Sequence, residues 1–185
     1  MAFNVSEFAS SGLPLGGARP SLFSVNIDTP SGVPNIGSRI AFSCRASQMP
    51  SSVLSVIPQR YFGREIKMAG TRSFEPWTVT ILIDEDFTVR NSLETWSNLI
   101  NSHQGNLRGG GLGGLSTYRT TGTVSQYSKT GGILRTYEMV NMFPSNLAAI
   151  ELDWDNADAI EMFTCEFQYD YWQVAAPTTT GTFAV

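Results

Sequence analysis

The sequence predicts a mainly β fold, a sandwich or barrel of about six to eight antiparallel strands with one flanking helix. Three observations carry that expectation. Several segments alternate apolar and polar residues with a period of two. A single stretch, about residues 88–102, has an apolar stripe at helical spacing instead. Charged residues make up only 15% of the 185 residues, well under the typical quarter. Ser, Thr, Gly and Asn fill the gap, which suits a β-rich chain that hides much of its surface in contacts.

In chain order, Phe23, Val25 and Ile27 alternate with Ser24, Asn26 and Asp28, predicting a first strand. Ile40, Phe42, Cys44 and Ala46 alternate with Ala41, Ser43 and Arg45, predicting a second. Gln48 to Gly70 contains Pro50, Pro58, Gly63 and Gly70 and reads as a long extended loop, a feature usually functional in a small domain. Trp77, Val79, Ile81 and Ile83 mark the next strand. The helix follows, with Val89, Leu93, Trp96 and Ile100 on one face and Leu99 widening it. Asp84, Glu85 and Asp86 precede it, where negative charge favours a helix N-terminus; Asp86 or Thr88 is the candidate cap. Gly105 is the candidate stop, with His103 in the last turn.

Thr121 to Tyr127 and Ile133 to Val140 read as a hairpin around Ser128-Lys129-Thr130-Gly131-Gly132. A short strand is expected from Ala149 to Trp154, and a last one where Phe163, Cys165, Phe167, Tyr169 and Tyr171 alternate with polar residues. The chain reads as one domain over residues 1–185. Its polar N-terminal arm (residues 1–20) and low-complexity C-terminal tail (residues 174–185) are expected to be mobile in an isolated subunit.

Charge and cysteine content narrow the function classes. Twelve basic against sixteen acidic residues leave −4, so there is no overall basic footprint for nucleic acid. No apolar run approaches membrane-spanning length. The opening MAFNVSEFASSG lacks the basic and apolar regions of a secretory signal, so a cytoplasmic site of synthesis is expected. Cys44 and Cys165 both fall on the apolar phase of predicted strands, which predicts two buried reduced thiols.

The residues offer little chemistry. His103, the only histidine, sits beside a glycine loop, and neither cysteine lies in a context that would activate it. Leu107 to Gly114 (LRGGGLGG) lacks the Gly-Lys-Ser/Thr ending of a phosphate loop and precedes a strand. Asp153, Asp155, Asn156 and Asp158 hint at a calcium loop, but the sixth position is Asp158 instead of glycine and the twelfth is Thr164 instead of Glu. No metal, cofactor or catalytic residue is therefore expected. Arg60, Arg64, Lys67 and Arg72 cluster around the long loop. A nucleic-acid groove is one reading; salt bridges to an acidic neighbouring subunit are the better one, because the cluster is small and the chain is acidic. Tyr169, Tyr171 and Trp172 read either as a sugar platform or as packing near a subunit interface, the latter favoured by aromatic enrichment at interfaces.

Five segments, in register, carry a specific resemblance: ARPSLFSVNI (Ala18 to Ile27), AFSCRASQMP (Ala41 to Pro50), REIKMAGTRSFEPWTVTILIDED (Arg64 to Asp86), VRNSLETW (Val89 to Trp96), and FPSNLAAIELDWDNADAIEMFTCEFQYDYW (Phe143 to Trp172). Across Ala18 to Trp172 the chain resembles the tail tube proteins of T4-like, contractile-tailed bacteriophages. The insert at Gly109 to Gly114 and the tail after Trp172 are its least family-like parts.

The resemblance implies a structural virion protein that forms the hollow inner tube of a contractile tail from stacked hexameric rings, its strands joining across subunits into one barrel and its lumen conducting the genome during ejection. It implies the tail sheath, baseplate, tail-terminator and tape-measure proteins as partners, transient DNA in the lumen, no membrane anchor, and assembly in the host cytoplasm. Tyr171 and Trp172 join the four basic residues as candidate inter-subunit contacts, and Glu138 and Glu166 are the candidate luminal residues. The alternatives are a tube-initiating or baseplate relative of the same fold, and a β-sandwich ligand-binding module.

Overall fold

The computed structural model describes residues 8–13, 15–109, 114–155 and 158–175. It is mainly β. After a π-helical turn (Phe8–Gly12) come β1 (Phe23–Ile27), α1 (Gly37–Ser43), β2 (Cys44–Ser47), β3 (Val53–Tyr61), β4 (Arg64–Ser73) and β5 (Trp77–Leu82). Then follow α2 (Thr88–Ile100), α3 (Leu115–Tyr118), β6 (Thr120–Tyr127), β7 (Ile133–Leu147), β8 (Met162–Gln168) and β9 (Tyr171–Ala175).

The strands form two antiparallel leaves that share β7, and a separate hairpin. The first leaf runs β1-β6-β7-β9 and the second runs β7-β8-β5-β2. β7 is long enough to serve both: its Ile133–Met142 part pairs with β6, and Phe143–Leu147 pairs with β8. It changes leaf just after Asn141, which has φ +60. The neighbouring chain breaks at the same level, between β8 and β9, so the predicted last strand is two strands in two leaves. Asp170, in that break, accepts hydrogen bonds from Asn141 Nδ2 (2.8 Å) and Arg119 Nη1 (3.0 Å), and its N–H donates to the Val140 carbonyl (3.1 Å). One carboxylate thereby ties both bends together.

The core lies between the leaves and α2. Val25, Ile27, Val124 and Met139 come from the first leaf; Trp77, Val79, Ile81, Phe163, Cys165 and Phe167 from the second; Leu93 and Trp96 from α2. The period-two positions therefore do point inward. Both buried indoles find acceptors, as a buried N–H must. Trp77 Nε1 donates to the Gln48 carbonyl (2.8 Å) and Trp96 Nε1 to the Tyr118 carbonyl (2.9 Å).

The helix predicted over residues 88–102 spans Thr88–Ile100 and buries Val89, Leu93 and Trp96. Asp86 caps it from just outside: its Oδ1 accepts the Thr88 N–H at 3.0 Å while Phe87 takes a left-handed φ of +50. The bonds from Thr88, with Arg39 alongside, hold the Asp86 carboxyl below the ordinary carboxylate range. Its contribution to stability is therefore present above the ordinary value and is lost as pH falls through the lowered one. The helix ends at Asn101, before Gly105, and His103 lies in the turn beyond. The hairpin turn at residues 128–132 forms as predicted, with Gly131 at φ +84 and its N–H bonded to the Ser128 carbonyl.

Three expectations are corrected. The strand predicted at Ile40–Ala46 is α1 followed by a short β2. Ile36 and Ile40 are buried one helical turn apart, whereas Phe42 is 90% exposed. The segment fits both periods, and contact with β1 selects the helix. The loop predicted over Gln48–Gly70 is the β3–β4 hairpin. Its tip, Phe62-Gly63, has φ +45 and +76, the two positive values of a type I′ turn. Pro58 is tolerated because each strand of an isolated pair has an open edge. Gly70 sits at the register shift, where a Cβ would collide with Ser55 Oγ. The strand expected at Ala149–Trp154 is absent: described residues 148–161 contain no helix or strand.

The thiols behave as buried groups. Cys165 is fully buried and its pKa is pushed up strongly by desolvation; Cys44 is half-buried and pushed up to about 11 by the same cause. At pH 8 alkylation of the folded protein by iodoacetamide should be slow, with Cys44 accelerating only toward about pH 11. Labelling at pH 8 as fast as for free cysteine would contradict this burial. In β5, which pairs on both sides, Val79→Pro should abolish the folded subunit, read as loss of a cooperative thermal transition; an assembly-competent variant would refute the central position of β5.

Candidate functional site

No catalytic constellation emerges among the described residues. His103 is exposed in a turn, and both thiols are shifted away from reactivity. No group of three His, Cys, Asp or Glu could hold a metal ion among the described residues. Asp153 instead closes a local turn, its Oδ1 accepting the Asp155 N–H at 3.1 Å, while Asn156 lies outside the described residues. So do residues 110–113 of the glycine run. No helix is long and apolar enough to cross a membrane among the described residues.

What the molecule does present is unfinished surface, of two kinds. The first is the β3–β4 hairpin, every residue of which is exposed except the half-buried Gly70. Directly paired residues share a face. Ile57 pairs with Met68, Gln59 with Ile66 and Tyr61 with Arg64, so one face is largely apolar. Pro58 pairs with Lys67 and Arg60 with Glu65, so the other is charged. The amphipathic pattern of a half-buried strand is complete, but among the described residues no core covers it. Arg60, Arg64, Lys67 and Arg72 all lie on this ribbon, the first three toward its tip and Arg72 at its base, and none forms a salt bridge among the described residues.

The second is a pair of open edges. In the first leaf, β1 and β9 are the outer strands, and neither has a partner on its far side among the described residues. Such edges are rows of unpaired backbone donors and acceptors. The outward face of this leaf is polar: Ser24 bonds Tyr127, Ser125 bonds Thr136, and Gln173 Nε2 donates to Glu138 Oε2 at 2.7 Å.

The remaining candidates separate. Glu138 lies on the outward face of the first leaf, beside Gln173. Glu166, opposite Thr78, lies on the outward face of the second leaf. Tyr171 is exposed on the Glu138 face. Trp172 turns inward with Met139, stacks edge-on against Tyr137 at 5.3 Å, and donates from Nε1 to the Ser51 carbonyl. Tyr169 is buried. The three aromatics thus point in different directions and form no common exposed platform. Asp170, within the Phe143–Trp172 segment, is the corner residue; its neighbours Arg119 and Asn141 are too distant in sequence to signal that role.

Comparison with known proteins places this surface in context. A family model described as phage tail tube protein matches residues 18–175. The tail tube protein gp19 of Enterobacteria phage T4 is 32% identical over 157 residues, covering 84% of this chain and 91% of that one. The homologous protein of Enterobacteria phage T6 matches to the same extent. The fold is also that of a chain in the sheath–tube complex of an extracellular contractile injection system, with a TM-score of 0.61 at 17% identity, covering 95% of this chain and 99% of that one. This chain belongs to the phage tail tube protein family.

Proposed function

We propose that the chain forms hexameric rings that stack into the hollow inner tube of a contractile phage tail and conduct the genome at ejection. The open first leaf is the observation that supports this best. Its four strands alternate in direction from β1 to β9. A second copy placed head-to-tail therefore sets its β1 antiparallel to β9, and an even number of strands lets that alternation continue around a ring. Closure satisfies both edges of the first leaf, which a lone subunit cannot do. The β3–β4 hairpin then serves the other direction, reaching the adjacent ring. Sheath, baseplate, tail-terminator and tape-measure proteins are the partners of such a tube, assembled in the host cytoplasm.

The lumen in this reading is lined by the outward face of the first leaf. Hydroxyls and amides dominate there, and Glu138 is the one charged side chain within the paired stretch. A wall of that kind offers phosphates no cation to bind, so DNA slides without adhering. Glu166 would then face away from the lumen, on the other leaf. No catalytic step is assigned to the chain. A tube-initiating relative of the same fold would share the ring but stop after one layer.

Purified protein should give uniform rings or tubes by negative-stain microscopy; monodisperse monomers at high concentration would refute the proposal, and rings that never stack would favour the initiator. Wild-type assemblies should bind DNA weakly at physiological salt, whereas Glu138→Lys should introduce salt-sensitive binding. Tight binding by the wild type, or no change in the variant, would remove Glu138 from the lumen wall.

A further inference from the structure

We propose that residues 176–185 fold back within the same chain and seat Phe183 in the apolar hollow between the N-terminal arm and the turn that joins β6 to β7. The contact lies within one subunit and needs no ring.

The hollow is built. Leu13, Leu15 and Arg19 of the arm form one side, and Tyr127, Lys129 and Leu134 the other. Its volume is about 510 Å³, within the range that accepts bulky apolar groups. The arm is tied in place. Lys129 Nζ donates to the Gly16 carbonyl (2.8 Å), the Tyr127 N–H to the Leu22 carbonyl (2.9 Å), and the Gly16 N–H closes a turn on the Leu13 carbonyl (2.8 Å). Gly16 and Gly17 have φ of +71 and +74, which lets the arm bend there. Within this fixed frame Leu13 and Leu134 remain half exposed, and Leu15 is 89% exposed. Three leucines therefore line one concavity and stay uncovered among the described residues.

The chain's own course identifies the occupant. β9 runs from Tyr171, opposite Val140, to Ala175, opposite Thr136, and so heads toward the β6–β7 turn. Leu134 lies two residues farther along β7. From Ala175 the hollow is one strand spacing across and two residues along, on the order of 10 Å. Ala176 to Phe183 can span roughly 26 Å when extended, which leaves slack for the chain to turn back at Pro177 and Gly181. The segment carries no charged side chain, and Phe183 and Val185 are its only large apolar ones. Thr178 to Thr182 then form the spacer and Phe183-Ala184-Val185 the anchor.

Position and tether both favour this pairing. The family match covers residues 18–175. Gly12, Leu13, Leu15 and Gly17 on the arm side, and the whole of 176–185, lie outside it. The two surfaces that would meet are thus both outside the matched region and at the same end of one leaf. A tether this short holds the anchor at a local concentration in the millimolar range, above what a separate copy reaches in solution. Burying Phe183 against the leucines removes apolar area from water on both sides. The docked segment also closes the hollow beside Tyr127, whose hydroxyl bonds Ser24 on the outward face of the first leaf. That polar face then ends in a covered rim instead of exposed leucines.

The test uses the full-length chain at concentrations below assembly. In Leu13→Cys, maleimide should label the introduced thiol slowly. Adding Phe183→Asp with Val185→Asp should speed that labelling about tenfold or more, the order expected when burial of one Phe side chain is lost. An unchanged thermal transition shows that these variants fold. Leu13→Cys with Ala184→Cys should close an intramolecular disulfide under mild oxidation, seen as a faster-moving monomer on a non-reducing gel. Leu152→Cys, in the β7–β8 connection, should not couple with Ala184→Cys. Equal labelling with and without the Asp changes, equal coupling at the two partner positions, or disulfides formed only between chains would each overturn the assignment of the hollow to the same chain's residues 176–185.

Discussion

The structure depends on a single strand turning a corner. β7 contributes to both leaves, and the core exists only because it changes direction after Asn141 and carries the second leaf over the first. A strand that ran straight would leave one broad sheet with two faces to cover and one helix to cover them. The bend is held by hydrogen bonds to the Asp170 carboxylate from Asn141 and Arg119, at the point where β8 gives way to β9. Charge-assisted bonds of this kind are stronger than neutral ones, and here they fix two bends relative to each other. With the corner set, Trp77, Phe167 and Trp96 meet in the interior.

The same corner leaves the subunit incomplete. Turning β9 into the first leaf gives that leaf four strands and two open edges. The other large exposed element, the β3–β4 hairpin, is patterned for burial and left uncovered. A monomeric protein would carry such features at the risk of aggregation. In a member of the tail tube family they are the surfaces we propose for assembly. The low overall content of charge is in keeping with that proposal.

Legibility in the sequence followed the physics of each element. β5 and β8 were readable because alternation at Trp77-Val79-Ile81 and Phe163-Cys165-Phe167 has no competing period. The helix was readable for the same reason, from Val89, Leu93 and Trp96. Residues 40–46 were not, because Ile36 and Ile40 fit a helix while Ile40, Phe42 and Cys44 fit a strand, and the difference lies in which face meets β1. The hairpin was hidden by Pro58 and Gly63, which argue against a central strand but are at home in a two-stranded ribbon with a left-handed turn. The cluster of Arg60, Arg64, Lys67 and Arg72 was visible as composition; its spread along one amphipathic ribbon was not.

By itself the sequence determined the fold class, the helix, the main core strands and, through five ordered segments, the family. These are local patterns or their order, and they need no knowledge of distant neighbours. Only the tertiary structure decided that Tyr169, Tyr171 and Trp172 diverge and that Glu138 and Glu166 occupy different leaves. Each of these depends on where β7 bends and which strands it pairs, a long-range outcome of backbone hydrogen bonding that periodicity along one strand does not encode.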